Sequence, residues 1–437
     1  MRKMRDSGID WIGTIPQDWR LSKIGSLYTQ RNEKVSDKDY QPLSVTMQGI
    51  LPQLATAAKT DDGDNRKLVR VGDFAINSRS DRRGSCGISP LDGSVSLINI
   101  ILTPRTAMHP GYYNWLFHTT LFADEFYKWG HGIVADLWTT RWQEMKSITV
   151  PVPEYAEQER IAAFLDAECA EIDTVLEKTR ASIEEYKKLK QAIITQAVTK
   201  GIRGDRPMKD SGSEWIGEIP AEWKVASIGR FCFVTKLAGF EFTNDMMSNI
   251  QDSGDIPIVR AQNIKMGKFI NNISEFIPYR ISQKLERCAL NRKCLIITFI
   301  GAGIGEVAIF NEPKRYHLAP NVAKIVINVG MEHFVTEEYL LYFLMSSAGQ
   351  EEINKIKKAT AQPSLSMGTI RSIKMVLPDS IEEQSEIVSY LDMRCASIDA
   401  LIAKKQQYLT EIENYKKSLI YEYVTGKKEV KTSVLAD

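Results

Sequence analysis

An arginine-rich loop is the first segment of the sequence whose residue types suggest a chemistry. It reads INSRSDRRGS over residues 76–85 and directly follows a strand-like segment. Its candidate contact residues are Asn77, Ser78, Arg79, Ser80, Arg82 and Arg83. Because a guanidinium can donate two hydrogen bonds to guanine O6 and N7, and an asparagine amide pairs similarly with adenine, the loop predicts contacts to DNA base edges. The alternative is a solvated loop in which Asp81 neutralises one arginine.

Two other strand ends and one later loop carry side chains of the same kinds. LSVTMQGI (43–50) aligns with IVRAQNIKMGK (258–268), and TAQPS occupies 360–364. Such side chains contact both base edges and phosphates in complexes with DNA. The predicted contacts on these segments are Gln48, Arg260, Gln262, Asn263, Lys265, Thr360, Gln362 and Ser364. The first-copy counterpart of the late loop, near residues 131–138, is more aromatic than polar, so the correspondence is weak there.

The motifs of nucleotide hydrolysis and of amino-methyl transfer are missing from the sequence. It contains neither G-x-x-x-x-G-K-[ST] nor an Asn/Asp-Pro-Pro-Tyr/Phe segment. GAGIG at residues 301–305 has the wrong spacing for a dinucleotide loop and precedes a strand-like EVAIF. It predicts a tight turn or a close backbone approach to DNA. We therefore expect no catalytic residue and no cofactor site in this chain.

Charge and cysteine usage narrow the class of protein. The 56 Lys and Arg residues nearly balance 55 Asp and Glu residues, so any DNA-binding face must be a local patch. Six cysteines without a C-x-x-C pair and five histidines without ligand spacing predict no metal site and a reduced, cytoplasmic compartment. The longest apolar stretch, residues 294–310, is too short for a membrane span and predicts two core strands around a turn.

The elements that must position these candidates are duplicated within the chain. Met4 to Gly25 aligns without a gap to Met208 to Gly229, with 12 of 22 positions identical. Gln158 to Thr199 aligns to Gln384 to Thr425, with 14 of 42 identical. The offset is 204 residues at the front of the repeat and 226 at the back, so the copies agree at their ends and diverge between them.

The back of each copy has the composition and periodicity of a long helix. It lacks Pro and Gly and carries a heptad-like apolar stripe. Ser380 and Glu383 predict a capping box, and Gly201 and Gly426 predict the helix ends. Since each helix follows an equivalent globular segment, we expect the two to pair as an antiparallel coiled coil with pseudo-two-fold symmetry.

Polar residues interrupt the stripe at matching positions in the two copies, which could fix the register of the pair. These are Thr179 with Lys405 and Lys190 with Lys416. A solvated charge on an imperfect seam is an equally good explanation.

The globular segments mix short strands with Gly and Pro turns and end in aromatic-rich helical stretches, which predicts two α+β domains. The strand-like segments start at residues 42, 70 and 95 in the first copy and at 256, 293, 306 and 322 in the second. The tryptophans of the repeat recur in domains whose centres differ. We therefore expect Trp11, Trp19, Trp215 and Trp223 to pack in the cores rather than to stack on bases.

These features together resemble the DNA-specificity subunit of type I restriction-modification enzymes. The resemblance covers nearly the whole chain and is carried by three duplicated signatures. They are the entry segment D-S-G-x-x-W-I-G-x-I-P-x-x-W, the Pro-x-Pro or Leu-Pro approach to a Gln-initiated helix, and the helix text L-D…I-D-x-x-[LI]…V-T.

The resemblance implies a division of the chain into four parts. Residues 1–152 and 205–377 would be target-recognition domains, and 153–204 and 378–437 would be conserved spacer helices, the last with a C-terminal tail. Each domain would read half of a bipartite site on double-stranded DNA, and the helices would set the spacer and dock two methyltransferase subunits. S-adenosylmethionine would bind those partners, and ATP and Mg²⁺ would bind a separate restriction or motor subunit.

Two other functions stay open on the residues alone. A self-contained nuclease or methyltransferase would modify DNA without partners, and nuclease carboxylate sets are too degenerate to recognise by eye. A coiled-coil scaffold whose domains bind protein would lack the steep salt dependence that phosphate neutralisation imposes on DNA binding.

Overall fold

The computed structural model of the chain describes residues 2–55, 62–132, 138–358 and 364–431. The chain divides into two compact units, which are considered separately. Unit 1 comprises residues 1–180 with 406–437, and unit 2 comprises residues 181–405. None of the helices in the described ranges combines the length and the hydropathy that crossing a membrane requires.

The described residues of unit 1 form thirteen strands and four short α-helices. The strands are β1 Met4–Asp6, β2 Thr14–Pro16, β3 Arg20–Lys23, β4 Tyr28–Arg31, β5 Lys34–Val35, β6 Leu43–Thr46, β7 Gly49–Pro52, β8 Arg66–Val69, β9 Phe74–Asn77, β10 Cys86–Ile88, β11 Gly93–Val95, β12 Asn99–Pro104 and β13 Thr149–Val152. The helices are α1 Ile24–Leu27, α2 Pro110–Phe117, α3 Thr120–Lys128 and α4 Trp142–Met145. Two long helices, α5 Tyr155–Lys200 and α11 Ile381–Val424, contribute segments to both units.

Unit 2 has the remaining elements. Its strands are β14 Met208–Asp210, β15 Glu218–Pro220, β16 Lys224–Ser227, β17 Cys232–Lys236, β18 Ile256–Val259, β19 Ile264–Lys265, β20 Lys268–Phe269, β21 Phe276–Ile277, β22 Ala289–Leu290, β23 Cys294–Thr298, β24 Val307–Phe310, β25 Tyr316–Leu318, β26 Val322–Ile327 and β27 Lys374–Leu377. Its helices are α6 Gly239–Glu241, α7 Tyr279–Lys284, α8 Glu337–Met345, α9 Ser347–Lys358 and α10 Met367–Ser372.

The main sheet of each unit has four strands in a corresponding order. In unit 1 the order is β10-β9-β12-β4, and in unit 2 it is β24-β23-β26-β17. Each unit also pairs an entry hairpin, β1 with β2 or β14 with β15, and joins the strand after that hairpin to its last strand, β3 with β13 or β16 with β27. A separate antiparallel hairpin, β6 with β7, belongs to unit 1. Strands and helices together make an α+β fold, as the sequence predicts.

Aromatic and aliphatic side chains from sheet and helices fill both cores. In unit 1, Phe74, Phe117 and Leu165 belong to one buried cluster that also includes Leu419 and Val424 of α11. In unit 2, the corresponding cluster includes Trp223, Tyr339, Phe343 and Leu391. Burial of this apolar surface is the main favourable term in folding, so the long helices are part of each core rather than attachments to it.

The two long helices begin and end close to the predicted residues. Gly201 and Gly426, both with positive φ, follow the last turns of α5 and α11. Glycine adopts this left-handed backbone without steric cost, which ends both helices as predicted. At the start of α11, Ser380 Oγ accepts from the amide of Glu383 at 3.2 Å, so the serine half of the predicted capping box is confirmed. The glutamate half is wrong, because the Glu383 carboxylate has other partners.

Three of the four repeated tryptophans lie in the cores as predicted. Trp11, Trp19 and Trp223 are buried, whereas Trp215 is 41% exposed and the prediction for it is wrong. Trp11 packs edge-on against Phe122 of α3. Residues 301–305 form a turn between the antiparallel strands β23 and β24, which confirms the prediction of two core strands around a turn.

A buried histidine in unit 2 makes stability depend on pH. The His317 ring is fully buried, with Nδ1 3.0 Å from the carbonyl oxygen of Leu318 and Nε2 3.3 Å from that of Leu285. Burial lowers its pKa, and burial also lowers the pKa of His118 in unit 1. The folded rings stay neutral where unfolded histidine, with a pKa of about 6.5, takes up protons. The contribution of the two histidines to the free energy of unfolding is therefore complete above a pH of about 6.5 and declines as the pH falls below that value.

We expect the urea midpoint of the protein to decrease between pH 7.5 and pH 5.5, and His317→Gln to remove part of that decrease. Each unit by which the pKa is lowered corresponds to about 1.4 kcal/mol at the acid end. His131→Gln, at an exposed site, is the control and should keep the wild-type dependence. An unchanged pH dependence in His317→Gln would contradict the assignment.

Candidate nucleic-acid interface

The arginine loop, defined here as residues 77–85, connects β9 to β10 in unit 1. Residues 80–82 form a single 3₁₀ turn. Arg82 is the most open of the three arginines, with 68% of its side chain exposed, and Arg83 and Arg79 are also accessible. Because the loop is bounded by two strands of the main sheet, its guanidinium groups are presented from a rigid base.

Carboxylates lie beside all three arginines of this loop. Asp81 is 3.2 Å from Arg79 Nε and 3.9 Å from Arg82 Nε, while Arg83 pairs with Asp124. Exposed ion pairs of this kind contribute about 0–1 kcal/mol, so a phosphate or a base edge can replace them at little cost. The pairing therefore leaves the arginines available to a ligand, with Arg82 the least engaged.

The other polar residues of the loop are hydrogen-bonded or buried within the protein. The Asn77 side chain accepts from the amide of Arg79 at 3.1 Å, and the Ser78 hydroxyl donates to the carbonyl oxygen of Ile98. Ser80 Oγ is buried. The predictions for Ser78 and Ser80 are corrected, because Ser78 would have to break its bond and Ser80 Oγ would have to leave its buried position to reach a base. Asn77 lines the groove beside the loop, and its DNA contact stays a prediction. Asn77, Ser78 and Ser80 shape the loop that presents the arginines.

A groove of about 600 Å³ lies between the arginine loop and the β6–β7 hairpin. Its walls include Thr46 and Met47 on the hairpin side and Asp81, Arg82 and Arg83 on the loop side. Gln48 is exposed in the hairpin turn, where its backbone N–H donates to Thr46 Oγ1 at 3.0 Å. Unit 1 thus brings the predicted loop and the predicted strand end to one surface.

Of the candidate side chains in unit 2, some are held by contacts within the protein and others are exposed to solvent. Asn263 is buried, accepts from the amide of Arg260 at 2.9 Å and donates to the carbonyls of Ile270 and Asn272. Its predicted DNA contact is corrected to a structural role. The Arg260 guanidinium is half-buried against Glu275. Gln262 and Lys265 are exposed, and Lys265 Nζ lies 3.5 Å from Glu306.

The late-loop candidates fall mostly outside the described residues. Thr360 and Gln362 are not among them, and Ser364, which is half-buried, forms a bridge with Ile300 beside the 301–305 turn. Within the described ranges, no group of three or more His, Cys, Asp or Glu side chains is arranged to hold a metal ion. The six cysteines are unpaired and buried.

A clamp of arginine, glutamate and tryptophan recurs in both units and was missed by reasoning from sequence. In unit 1, Glu157 accepts from Arg2 and, at 2.9 Å, from Trp19 Nε1. In unit 2, Glu383 accepts from Arg206 at 2.6 Å and from Trp223 Nε1 at 3.1 Å. Each arginine also lies over its tryptophan ring, 5.6 Å from the centroid. The repeat offsets of 204 and 226 relate the members of all three pairs, so the sequence could have shown that they are equivalent but not that they contact one another.

A second set of repeated contacts joins each globular segment to both helices. Gln158 accepts from the amide of His109 at 2.9 Å, and Gln384 accepts from that of Thr336 at 3.1 Å. The Tyr112 hydroxyl donates to the carbonyl of Val424, and the Tyr339 hydroxyl donates to that of Val198. Each globular segment is therefore tied to the start of the helix that follows it and to the end of the other helix.

Charged pairs also cross between the two helices inside each unit. In unit 1, Lys416 Nζ lies 2.6 Å from Asp173, and in unit 2, Lys190 Nζ lies 2.7 Å from Asp399. The two lysines are equivalent in the repeat, and so are the two aspartates. Both lysines are half-buried, so the interruptions of the stripe at Lys190 and Lys416 have specific partners.

Known proteins of similar sequence indicate the function of a chain with this arrangement of domains and helices. The family model of the type I restriction modification DNA specificity domain matches residues 220–414. The specificity subunit of type I restriction enzyme MjaVIII from Methanocaldococcus jannaschii is 24% identical over 435 residues, covering 95% of this chain and 94% of that protein. The chain is therefore similar to type I restriction-modification specificity subunits over nearly its whole length. The specificity subunit is the part of such a system concerned with recognising a DNA sequence.

Solved structures show that this chain has a known fold. One, from work on complex assembly and conformational transition of the type I R-M system, has a TM-score of 0.71 and 14% identity over 95% of this chain and 99% of that chain. The HsdS subunit from Thermoanaerobacter tengcongensis has a TM-score of 0.50 and 14% identity over 95% and 98% of the respective chains. At such low identity the likeness concerns the fold alone.

Proposed function

We propose that this chain is a specificity subunit that binds double-stranded DNA by sequence, and that each globular segment reads one half of an asymmetric, two-part site. One observation carries the proposal. Equivalent residues anchor both globular segments to the helices, whereas the exposed polar residues differ between the segments. Two different readers held by equivalent anchors suit a site whose halves differ in sequence.

The first half of the site is read by the arginine loop and the groove beside it. Arg82 and Arg83 supply donors for guanine O6 and N7 or for phosphate oxygens. The second half is read by the surface that carries Gln262 and Lys265, a neutral amide and a single cation. This difference in donors and charge supports readout of two unlike sequences.

Arg82→Ala is expected to weaken binding to the cognate duplex by about 1–3 kcal/mol and to relax selectivity at one base pair if Arg82 reads a base. If it contacts phosphate, selectivity stays and the slope of log K against log salt falls by about one. Titrations at several salt concentrations with single-base variants distinguish these results. Arg70→Ala, which removes an exposed arginine paired with Asp92 elsewhere in unit 1, is the control. Equal effects of both variants would exclude a DNA contact by Arg82.

The two long helices are proposed to form an antiparallel coiled coil that sets the spacer between the half-sites. The Lys416–Asp173 and Lys190–Asp399 pairs support this, since residue numbers rise along one helix as they fall along the other. A half-buried lysine that finds its carboxylate in only one register favours that register over slipped alternatives.

The helices are further proposed to dock two methyltransferase subunits. In unit 1, the exposed side chains Val175, Tyr408 and Tyr415 line a shallow groove between the helices. In unit 2, the equivalents of Val175 and Tyr415 are Leu401 and Leu189, which are also exposed. Apolar side chains repeated at equivalent exposed positions suit two copies of one partner.

The division of chemistry in the complex follows from this function. The chain itself is proposed to be non-catalytic and to act in the cytoplasm. S-adenosylmethionine would bind the methyltransferase partners, and ATP with Mg²⁺ would bind a restriction or motor subunit. The predicted boundaries at residues 152, 204 and 377 belong to the same proposal.

Deletion of the gene followed by genome-wide mapping of methylated adenine tests the function directly. One asymmetric, gapped motif should disappear from the cells and return with a plasmid copy. A methylation pattern that is the same with and without the gene would exclude the proposed role.

A further inference from the structure

Three exposed apolar side chains line the groove beside the arginine loop. They are Met47 in the β6–β7 turn, Leu54 after β7 and Ile98 before β12. Met47 is 71% exposed, and the other two are also accessible. Single exposed apolar residues need no explanation, but three on the walls of one groove that also carries two accessible arginines indicate a ligand surface.

The backbone that carries these side chains is held in place. The Thr46 hydroxyl donates to the carbonyl of Gly49 at 2.9 Å and fixes the hairpin turn that presents Met47. The amide of Leu54 donates to Ser44 Oγ at 3.1 Å, and the carbonyl of Ile98 accepts from the Ser78 hydroxyl. A small buried cluster that includes Leu43, Ile50 and Val95 supports the hairpin. These hydrogen bonds and the buried cluster therefore hold the three side chains in exposed positions on unit 1.

Charge on the groove indicates what kind of ligand it accepts. Arg82 and Arg83 attract DNA, while Asp81 on the same wall repels phosphate. Base edges in the major groove carry no net charge, and the 5-methyl group of thymine is the apolar feature of that surface. A wall that combines arginine donors with apolar side chains suits a run of base edges that includes thymine.

We propose that this groove selects thymine in the first half-site through contact of its 5-methyl group with Met47, Leu54 and Ile98. The inference rests on the proposed function, because it presumes that unit 1 reads DNA. The side chains of these three residues are apolar, so a prediction based on polar side-chain types does not include them. The first half-site therefore contains at least one thymine whose methyl group contributes to affinity.

Replacement of thymine by deoxyuridine tests the contact, since it removes the methyl group and keeps the base-pairing edge. The specificity subunit, copurified with its methyltransferase partners, is titrated with duplexes of the mapped motif in which each thymine is replaced in turn. At one or more positions of one half-site, affinity should fall about fourfold per methyl group lost from an apolar contact. Met47→Gln and Leu54→Gln should bind the thymine duplex more weakly and show a smaller further loss with deoxyuridine. Leu91→Gln, at an exposed apolar site outside the groove, should behave as wild type.

Several results would overturn the inference. Equal affinity for thymine and deoxyuridine duplexes at every position would do so while sequence-specific binding and the proposed function stand. Undiminished deoxyuridine sensitivity in both groove variants would place the contact elsewhere. Loss of methyltransferase copurification with Met47→Gln would assign the groove to a protein partner. Absence of any preference for the mapped motif would instead reject the proposed function itself.

Discussion

Glu383→Ala is expected to destabilise unit 2 by about 3 kcal/mol, because it removes the carboxylate from a largely buried clamp. Arg206 and Glu383 are 12% and 5% exposed, and the same carboxylate accepts from the buried Trp223 indole. After the substitution the guanidinium keeps Glu222 at 3.2 Å and the face of Trp223, but it loses its closest anion. For a unit of this size we expect the melting temperature to fall by about 6–12 °C.

The chain offers matched controls for that experiment. Glu382→Ala removes an exposed glutamate from the same helical turn and should cost less than about 1 kcal/mol. Glu157→Ala removes the equivalent clamp residue in unit 1, where the pair is more exposed and Arg2 keeps Asp18 at 2.6 Å. Its effect should lie between the other two. Thermal unfolding monitored by circular dichroism ranks the three variants, and equal losses for Glu382→Ala and Glu383→Ala would contradict the role of the clamp.

Deleting one heptad from each long helix is expected to shorten the spacer of the recognised site while leaving both half-sites unchanged. Suitable segments are 178–184, which lies between Asp173 and Lys190 in α5, and 405–411, which lies between Asp399 and Lys416 in α11. Seven helical residues span about 10 Å, and base pairs are about 3.4 Å apart, so the gap should shorten by about three base pairs. Methylation mapping of cells that carry the variant reads out the spacer and both half-sites together.

Retention of the Lys416–Asp173 and Lys190–Asp399 pairs is the reason to delete from the two helices at once. Of the ion pairs that cross between α5 and α11 in the described residues, the deletion removes only the exposed Arg180–Glu413 pair. Deletion from α5 alone shifts Asp173 relative to Lys190 by seven residues without a matching change in α11, and we expect that variant to lose methylation altogether. Lys178→Ala combined with Thr410→Ala alters the same segments without changing their length and should preserve the wild-type motif. A changed half-site in the double deletion would contradict the ruler role, as would an unchanged spacer.

The sequence predicted only part of the proposed recognition surface. It identified the arginine loop, on which Arg82 and Arg83 are accessible, and their contact with DNA stays a prediction. It did not show that Ser78 and Asn263 turn inward, because whether a side chain at a strand end faces solvent depends on the strands and loops that pack over it. The Met47 side chain is apolar, so a prediction based on polar residue types did not include it. Its exposure follows from the hairpin turn on which it lies.

The sequence by itself determined the two long helices and where they begin and end. Heptad periodicity, helix-favouring composition and terminal glycines are local properties, and they predicted α5 and α11 to within a few residues. Repetition also identified equivalent positions before any contact was known. Partners separated by long stretches of chain were decided by the tertiary structure alone, since Glu383 reaches Trp223 and Arg206 across more than 150 residues. Short-range patterns specify where a helix forms, but only packing of distant segments determines which of its side chains become anchors and which remain free to meet DNA.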